Sequence, residues 1–229
     1  MYAAYLERIL AEKIARQAYR ALRPSEGIDF CSNDYLGLAR DRVFQQRIGA
    51  WIAAHQLSHG STGSRLLSGA YPFLDEVEQY VARFHQAPAA LIFSSGYMAN
   101  LALMSAIPAR GDLVLYDQFI HASLRDGLRM SFAHHRAFAH NDIQQVDELL
   151  KKQRERYPGQ RIFVVVESVY SMDGDQPDLA RLAAVCEQYE AALLVDEAHA
   201  VGVMGPRGEG LVTSLGLSEK CFARVVTFG

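Results

Sequence analysis

The chain has 229 residues, half of them apolar, with 21% charged and 10% aromatic side chains. That composition excludes a disordered, collagen-like or coiled-coil chain and supplies apolar material for one large core or two small ones. Its 23 basic and 26 acidic residues leave a formal charge of −3, so no basic field exists to hold nucleic acid.

The first 22 residues place Leu6, Ile9, Leu10 and Ile14 on one face at helical spacing. Glu7 and Glu12 among its basic residues are unlike a signal or transit peptide. Residues 28–31 read as a short strand, followed by the polar turn Ser32-Asn33-Asp34 and a helix over 41–54. A loop dense in small residues spans 58–72. Short apolar runs then recur at 89–93, 113–116, 161–166, 191–195 and 224–228, separated by helical patterns.

One of those helices is legible in detail. Asn141 can cap it, Ile143, Val146, Leu149 and Leu150 form its buried stripe, and Lys151 and Lys152 suit its negative end. Arg154, Glu155 and Arg156 read as a solvated helix end, and His134, His135 and His140 as exposed histidines in a polar stretch. Residues 162–166 and 192–195 are apolar on both faces, as strands covered by helices on both sides must be. The alternation predicts an α/β fold around a mainly parallel sheet, without repeat or linker. None of the apolar runs is long enough to span a bilayer, so no membrane partner is expected. Cys31, Cys186 and Cys221 are scattered with no C-x-x-C pair, which predicts reduced thiols in a cytoplasmic protein and no metal site on cysteine.

Ligands of such sheets collect at the carboxyl ends of the strands. Ser94-Ser95-Gly96-Tyr97 lies between a strand and a helix, where glycine allows a tight turn and free N–H groups attract an anion. A plain strand-to-helix turn needs the same glycine. Asp196-x-x-His199 follows a buried strand and admits three readings. A metal site would need a further ligand such as Glu167, and no His-x-x-x-His spacing supports zinc. A helicase with the letters Asp-Glu-Ala-His needs a phosphate loop, yet none of the four lysines follows a glycine. The third is a pyridoxal-phosphate (PLP) site, in which Asp196 keeps a ring nitrogen protonated and His199 meets the ring's phenolic oxygen. Taken alone, Asp196 reads better as a helix cap. His121, between a strand and a helix, either stacks on a planar cofactor or caps the helix.

The segments 33–38 (NDYLGL), 60–65 (GSTGSR), 95–100 (SGYMAN), 121–123 (HAS), 167–175 (ESVYSMDGD), 196–199 (DEAH) and 226–229 (VTFG), in this order, resemble the α-oxoamine synthases, PLP enzymes of fold type I. The resemblance implies the large domain of that fold, incomplete over 41–229, after an N-terminal helix and short strand over 1–40, with the C-terminal small domain absent. It implies that Gly96, Tyr97 and Thr227 bind the cofactor phosphate. His121 then stacks on the ring, Asp196 pairs with the ring nitrogen, and His199 and Ser171 contact the phenolic oxygen. Glu167 and Asn33 line the pocket, and Arg20 meets an acyl carboxylate.

Within the family the likeness is greatest to the branch that condenses L-alanine with a pimeloyl thioester, on CoA or acyl carrier protein, at the start of the biotin skeleton. The glycine and acetyl-CoA branch is the alternative, and a non-catalytic truncated domain is a further one. A homodimer is implied by likeness alone. The family's Schiff-base lysine directly follows the Thr-Phe-Gly at 227–229, and Lys13, Lys151, Lys152 and Lys220 are no substitutes. The polypeptide as it stands is therefore expected not to turn over, and its intact motifs favour a fragment over a truncated gene.

Overall fold

The computed structural model describes residues 2–22, 27–55, 57 and 60–228. The contacts divide the chain into two units, Met1–Ser32 and Asn33–Gly229.

The first unit holds helix α1 (Tyr2–Ala15), which buries none of its residues. It contains all four residues of the apolar face and stops at Ala15 because Gln17 is left-handed, with φ 54°, and the Ala18 N–H turns back to the Lys13 carbonyl at 2.8 Å. Residues 28–31 are coil, not the expected strand. Their chain is turned by the Asp29 carboxylate, which accepts the Cys31 N–H at 2.9 Å.

The second unit opens with α2 (Arg42–His55) and α3 (Pro72–Phe84). It continues through α4 (Gly96–Ala106), β1 (Leu113–Asp117), α5 (Ala122–Met130) and β2 (His134–Phe138). Then follow α6 (Ile143–Arg156), β3 (Ile162–Glu167), α7 (Leu179–Gln188) and β4 (Ala192–Asp196). A short α8 (Leu211–Ser214) and β5 (Cys221–Val225) close it. The five strands form one sheet in the order β2-β1-β3-β4-β5, every neighbouring pair parallel.

Alternation along the central strand sorts the core. Ile162, Val164 and Val166 face the layer of α6 and α7, with Val146, Leu150, Leu182 and Cys186. Phe163 and Val165 face the layer of α4 and α5, with Met104, Leu124 and Leu128. All six residues of β3 are buried, and each such apolar side chain stabilises the fold by about 1.5–3 kcal/mol. Close approach of α4 and α5 depends on Gly127, where a Cβ would lie 2.6 Å from Met104 Cβ.

Several sequence expectations are corrected. Residues 89–93 form no strand, because the Ile92 N–H donates to Glu78 Oε1 at 2.7 Å and not to a ladder. The last strand lies at Cys221–Val225, three residues earlier than expected, held by Val225 opposite Asp196 with an irregularity at Leu193/Leu194. β2 escaped detection because it is an edge strand that buries only Phe138. The cap of α6 is Asp142, whose carboxylate accepts the Gln145 N–H at 2.9 Å; Asn141 is left-handed at φ 55°. Arg154 is no solvated end, since its guanidinium donates to the carbonyls of Tyr189 at 2.6 Å and Glu190 at 2.9 Å.

Candidate active site

In a sheet of this order the chain reverses direction between β1 and β3, which opens a crevice at their carboxyl ends. Three strands end there in buried carboxylates: Asp117, Glu167 and Asp196 are 0, 3 and 5% exposed. Strand alternation turns Glu167 and Asp196 toward the α4/α5 side and Asp117 toward the α6 side.

Glu167 stands opposite Asp196 in the ladder. Burial first, and then the Asp196 charge, push its carboxyl up to about 8, against the pull of the His121 and Ser171 backbone groups. Its Oε1 has no hydrogen-bond partner. A neutral carboxyl at the sheet edge is a proton store at ordinary pH.

Asp196 is held differently. Its Oδ1 accepts the Ala198 N–H at 3.0 Å, and its Oδ2 accepts from Asn100 Nδ2 of α4 at 2.7 Å. The second hydrogen of that amide goes to Ser123 Oγ at 3.0 Å. The serine hydroxyl is then free to donate to His121 Nδ1, 2.7 Å away, which also accepts the Ser123 N–H. A hydrogen-bonded chain, donating outward from the Asn100 amide, thus joins Asp196 to His121, with the imidazole proton assigned to Nε2. His121 caps α5 and leaves its ring exposed, so capping and an open ring face are both realised.

The neighbouring Glu197 has another task. It is fully buried, accepts the Val212 N–H at 3.0 Å, and lies 3.6 Å from the Arg224 guanidinium. Burial still raises its carboxyl above the ordinary range.

Gly96 starts α4, whose cap Ser95 accepts the Met98 N–H at 3.2 Å. A Cβ on Gly96 would meet Thr227 Cγ2 at 2.5 Å, so the glycine lets the helix start approach the chain beyond β5. Thr227 Oγ1 donates to the Ala198 carbonyl at 3.3 Å. The Tyr97 hydroxyl donates to Asp126. His199 is half-buried, with Nδ1 2.8 Å from the Tyr35 hydroxyl, which also lies 3.5 Å from Asn33 Oδ1. Ser171 is exposed on the loop after β3. Arg20 belongs to the Met1–Ser32 unit, exposed and in coil five residues beyond the end of α1.

His134 and His135 are exposed, as the polar stretch suggested, but His140 is not. Its Nδ1 meets Asp117 Oδ1 at 3.0 Å and its Nε2 meets Asp175 Oδ2 at 2.8 Å. Asn100, Ser123, Tyr35 and Asp175 lie within the motif segments, but the sequence assigns them no role, and it does not bring Asp117, His140 and Asp175 together. Asn100 carried a usable signal, being a polar residue four before buried Met104 on the sheet-facing stripe of α4. Among the described residues, no cluster of His, Cys, Asp and Glu could hold a metal ion. No described helix is long and apolar enough to cross a membrane. A depression of about 700 Å³ lined by Gly111, His134 and Tyr157 lies at the opposite, amino-terminal edge and contains none of these groups.

The profile of the family "Aminotransferase class I and II" matches residues 25–226, and the chain belongs to that family. Its resemblance to the α-oxoamine synthases is borne out by particular relatives. It is 40% identical to the 8-amino-7-oxononanoate synthase of Emericella nidulans over 95% of this chain and 56% of that protein. It is also 40% identical to the enzyme of the same name from Chlorobaculum parvum, over 97% of this chain and 57% of the other. Among solved structures, the serine palmitoyltransferase of S. paucimobilis with a bound PLP–myriocin aldimine superposes with a TM-score of 0.73 at 35% identity, covering 83% of this chain and 48% of that one. The 8-amino-7-oxononanoate synthase of Francisella tularensis gives 0.66 at 32%, covering 84% and 51%. The chain therefore spans about half the length of these relatives.

The residues fit such a cofactor. Asp196 is a buried carboxylate at the strand end, Gly96 lets the start of α4 close up against Thr227, and Asn100 Oδ1 and Glu167 Oε1 are buried without partners among the described residues.

Proposed function

We propose that this chain forms the cofactor-binding part of an 8-amino-7-oxononanoate synthase, which condenses L-alanine with a pimeloyl thioester and releases the free thiol and carbon dioxide. The observation that carries the reading is Asp196: a buried carboxylate at the crevice, oriented by Asn100 and joined through Ser123 to His121. The names and identities of the curated relatives support the choice of substrates.

When bound, PLP supplies an electron sink for charge developing at the amino acid's α-carbon. Asp196 would keep the proton on the ring nitrogen, because a fixed carboxylate favours the cationic form. Gly96, Tyr97 and Thr227 would receive the phosphate, helped by the free N–H groups at the start of α4. His121 would lie on the ring face, and Ser171 and His199 would meet the phenolic oxygen. Glu167 and Asn33 would line the substrate side, and Arg20 the acyl carboxylate. In this reading residues 41–229 belong to the large domain, and the working enzyme is a cytoplasmic homodimer.

A second reading has an observation of its own, the superposition on serine palmitoyltransferase. The intact protein loaded with PLP separates the readings when assayed with alanine plus pimeloyl-CoA or pimeloyl acyl carrier protein, serine plus palmitoyl-CoA, and glycine plus acetyl-CoA. The proposal expects the first pair to have the highest kcat/KM, and faster turnover of either other pair overturns it.

A further inference from the structure

The group on the α6 side of the sheet edge has no part in the proposed cofactor chemistry. His140 follows β2 and sits with its ring between Phe119, whose centroid is 4.6 Å away, and Tyr170, edge-on at 4.5 Å. Its Nδ1 lies 3.0 and 3.1 Å from the two oxygens of Asp117, and its Nε2 lies 2.8 Å from Asp175 Oδ2. The Asn141 amide nitrogen also lies 3.3 Å from Nε2, but its hydrogen goes to Asp175 Oδ2 at 2.7 Å, so each ring nitrogen has a carboxylate as its short partner. A carboxylate offers only acceptors, and the arrangement is satisfied when both nitrogens donate. Only the imidazolium can do this.

The anchoring is uneven in a useful way. Asp117 is fully buried and accepts the N–H groups of Phe119 and Asn141, each at 2.8 Å, so its position is set by β1 and its continuation. Asp175 is part of the loop after β3, and the Asn141 amide donates to it at 2.7 Å. That loop returns on itself, the Tyr170 N–H donating to the Asp175 carbonyl at 3.0 Å and the Gly174 N–H to the Tyr170 carbonyl at 2.8 Å. Ser171 lies inside this closed turn. Fixing Asp175 therefore fixes the segment that carries Ser171.

We propose that His140 is a positioning residue: a protonated bridge from Asp117 to Asp175 that holds the turn of residues 170–175, and with it Ser171, at the carboxyl edge of the sheet. The inference rests on the cofactor reading only in what Ser171 is positioned for.

The titratable groups around the imidazole are Asp117 from β1, Asp175 and Tyr170 from the loop after β3, and Glu167, which lies close enough to Asp117 to feel its charge. Burial of His140 favours its neutral form, but the bonds to both carboxylates outweigh that, and its pKa is raised above 6.5. The bridge is thus complete below the ordinary histidine range and is lost as pH rises through the raised value.

The test uses intact protein, unchanged and as His140→Gln and Asp175→Asn. Nitrogen-15 spectra of the unchanged protein should show both ring nitrogens of His140 protonated at about neutral pH, above the usual histidine midpoint. Amide hydrogen exchange over residues 170–175 should quicken about tenfold or more in both variants, as expected for losing a charge-assisted bond. In the unchanged protein it should quicken at alkaline pH beyond the intrinsic base-catalysed rise, with no such excess in His140→Gln. A neutral His140 at neutral pH, or unchanged exchange in the exposed-side variant Asp175→Asn, overturns the proposal. PLP binding by the unchanged protein tests the cofactor reading separately, so either can fail without the other.

Discussion

Asn100 and Asp196 are 96 residues apart in sequence, yet the amide Nδ2 lies 2.7 Å from the carboxylate Oδ2, both groups buried. The helix that begins the crevice and the strand that ends in it are locked by a single charge-assisted bond. Asn100→Ala removes, among the described residues, the side-chain donor to Asp196 Oδ2 and to Ser123 Oγ. It should cost about 1–3 kcal/mol in denaturant unfolding, the usual penalty for leaving a buried acceptor unsatisfied. Asn100→Asp should cost more, because two like charges then face each other in the core. Equal stability of Asn100→Asp and the unchanged protein would show that Asp196 does not depend on the amide.

Glu167 gives a pH dependence with a definite sign. Its carboxyl rises from 4.5 to about 8 on folding, mainly through burial, so the native state binds the proton more tightly than the unfolded chain. The stability this confers is fully present below the unfolded value and drains away as pH climbs through the folded one. Unfolding free energy should therefore fall between about pH 5 and pH 9, and Glu167→Gln, which cannot ionise, should flatten that slope. Parallel slopes for the two proteins would remove the assignment.

The parts of this architecture that could be read from the chain are those where local pattern and tertiary role agree. Residues 162–166 and 192–195 are apolar throughout and became β3 and β4, because buried strands need no polar face. The 89–93 run has the same composition but lacks a ladder, a fact fixed by Glu78 thirteen residues upstream of the run's middle and invisible to periodicity. β2 was hidden for the opposite reason: an edge strand with exposed His134, His135 and Arg136 has no apolar alternation to detect. At the crevice, Asp196 and His121 were marked by their place after a strand. Their connection through Asn100 and Ser123 was not, since it joins three elements distant in sequence. His140 is not the exposed histidine its polar neighbourhood suggests, because two carboxylates reach it from β1 and the loop after β3.

Gly127 sets the spacing of α4 and α5. A Cβ there would stand 2.6 Å from Met104 Cβ and 3.1 Å from the carbonyl oxygens of Asn100 and Leu101, atoms that cannot swing aside. Gly127→Ala should destabilise by about 1–3 kcal/mol through overpacking, and push Asn100 away from Asp196. Gly159 has open space around its would-be Cβ. Gly159→Ala should be neutral or slightly stabilising by lowering unfolded-chain entropy, about 0.4–1 kcal/mol at most. Thermal midpoints of the two variants make the comparison, and a Gly127→Ala midpoint equal to that of Gly159→Ala would refute the packing account.

Tyr35 sets the donor and acceptor of His199. The phenol has one hydrogen and two candidate acceptors, His199 Nδ1 at 2.8 Å and Asn33 Oδ1 at 3.5 Å. The shorter contact takes the hydrogen, since hydrogen bonds weaken steeply near the longer distance. His199 Nδ1 is then the acceptor, and the neutral ring carries its proton on Nε2, the form able to donate to an oxyanion. Tyr35→Phe removes that preference without emptying the space. Nitrogen-15 spectra of the imidazole should move from one dominant tautomer toward a mixture, with a loss of roughly one hydrogen bond's worth of stability, about 0.5–1.5 kcal/mol. A tautomer ratio untouched by Tyr35→Phe would mean that the hydrogen points to Asn33, and that His199 takes its orientation from the backbone after β4 alone.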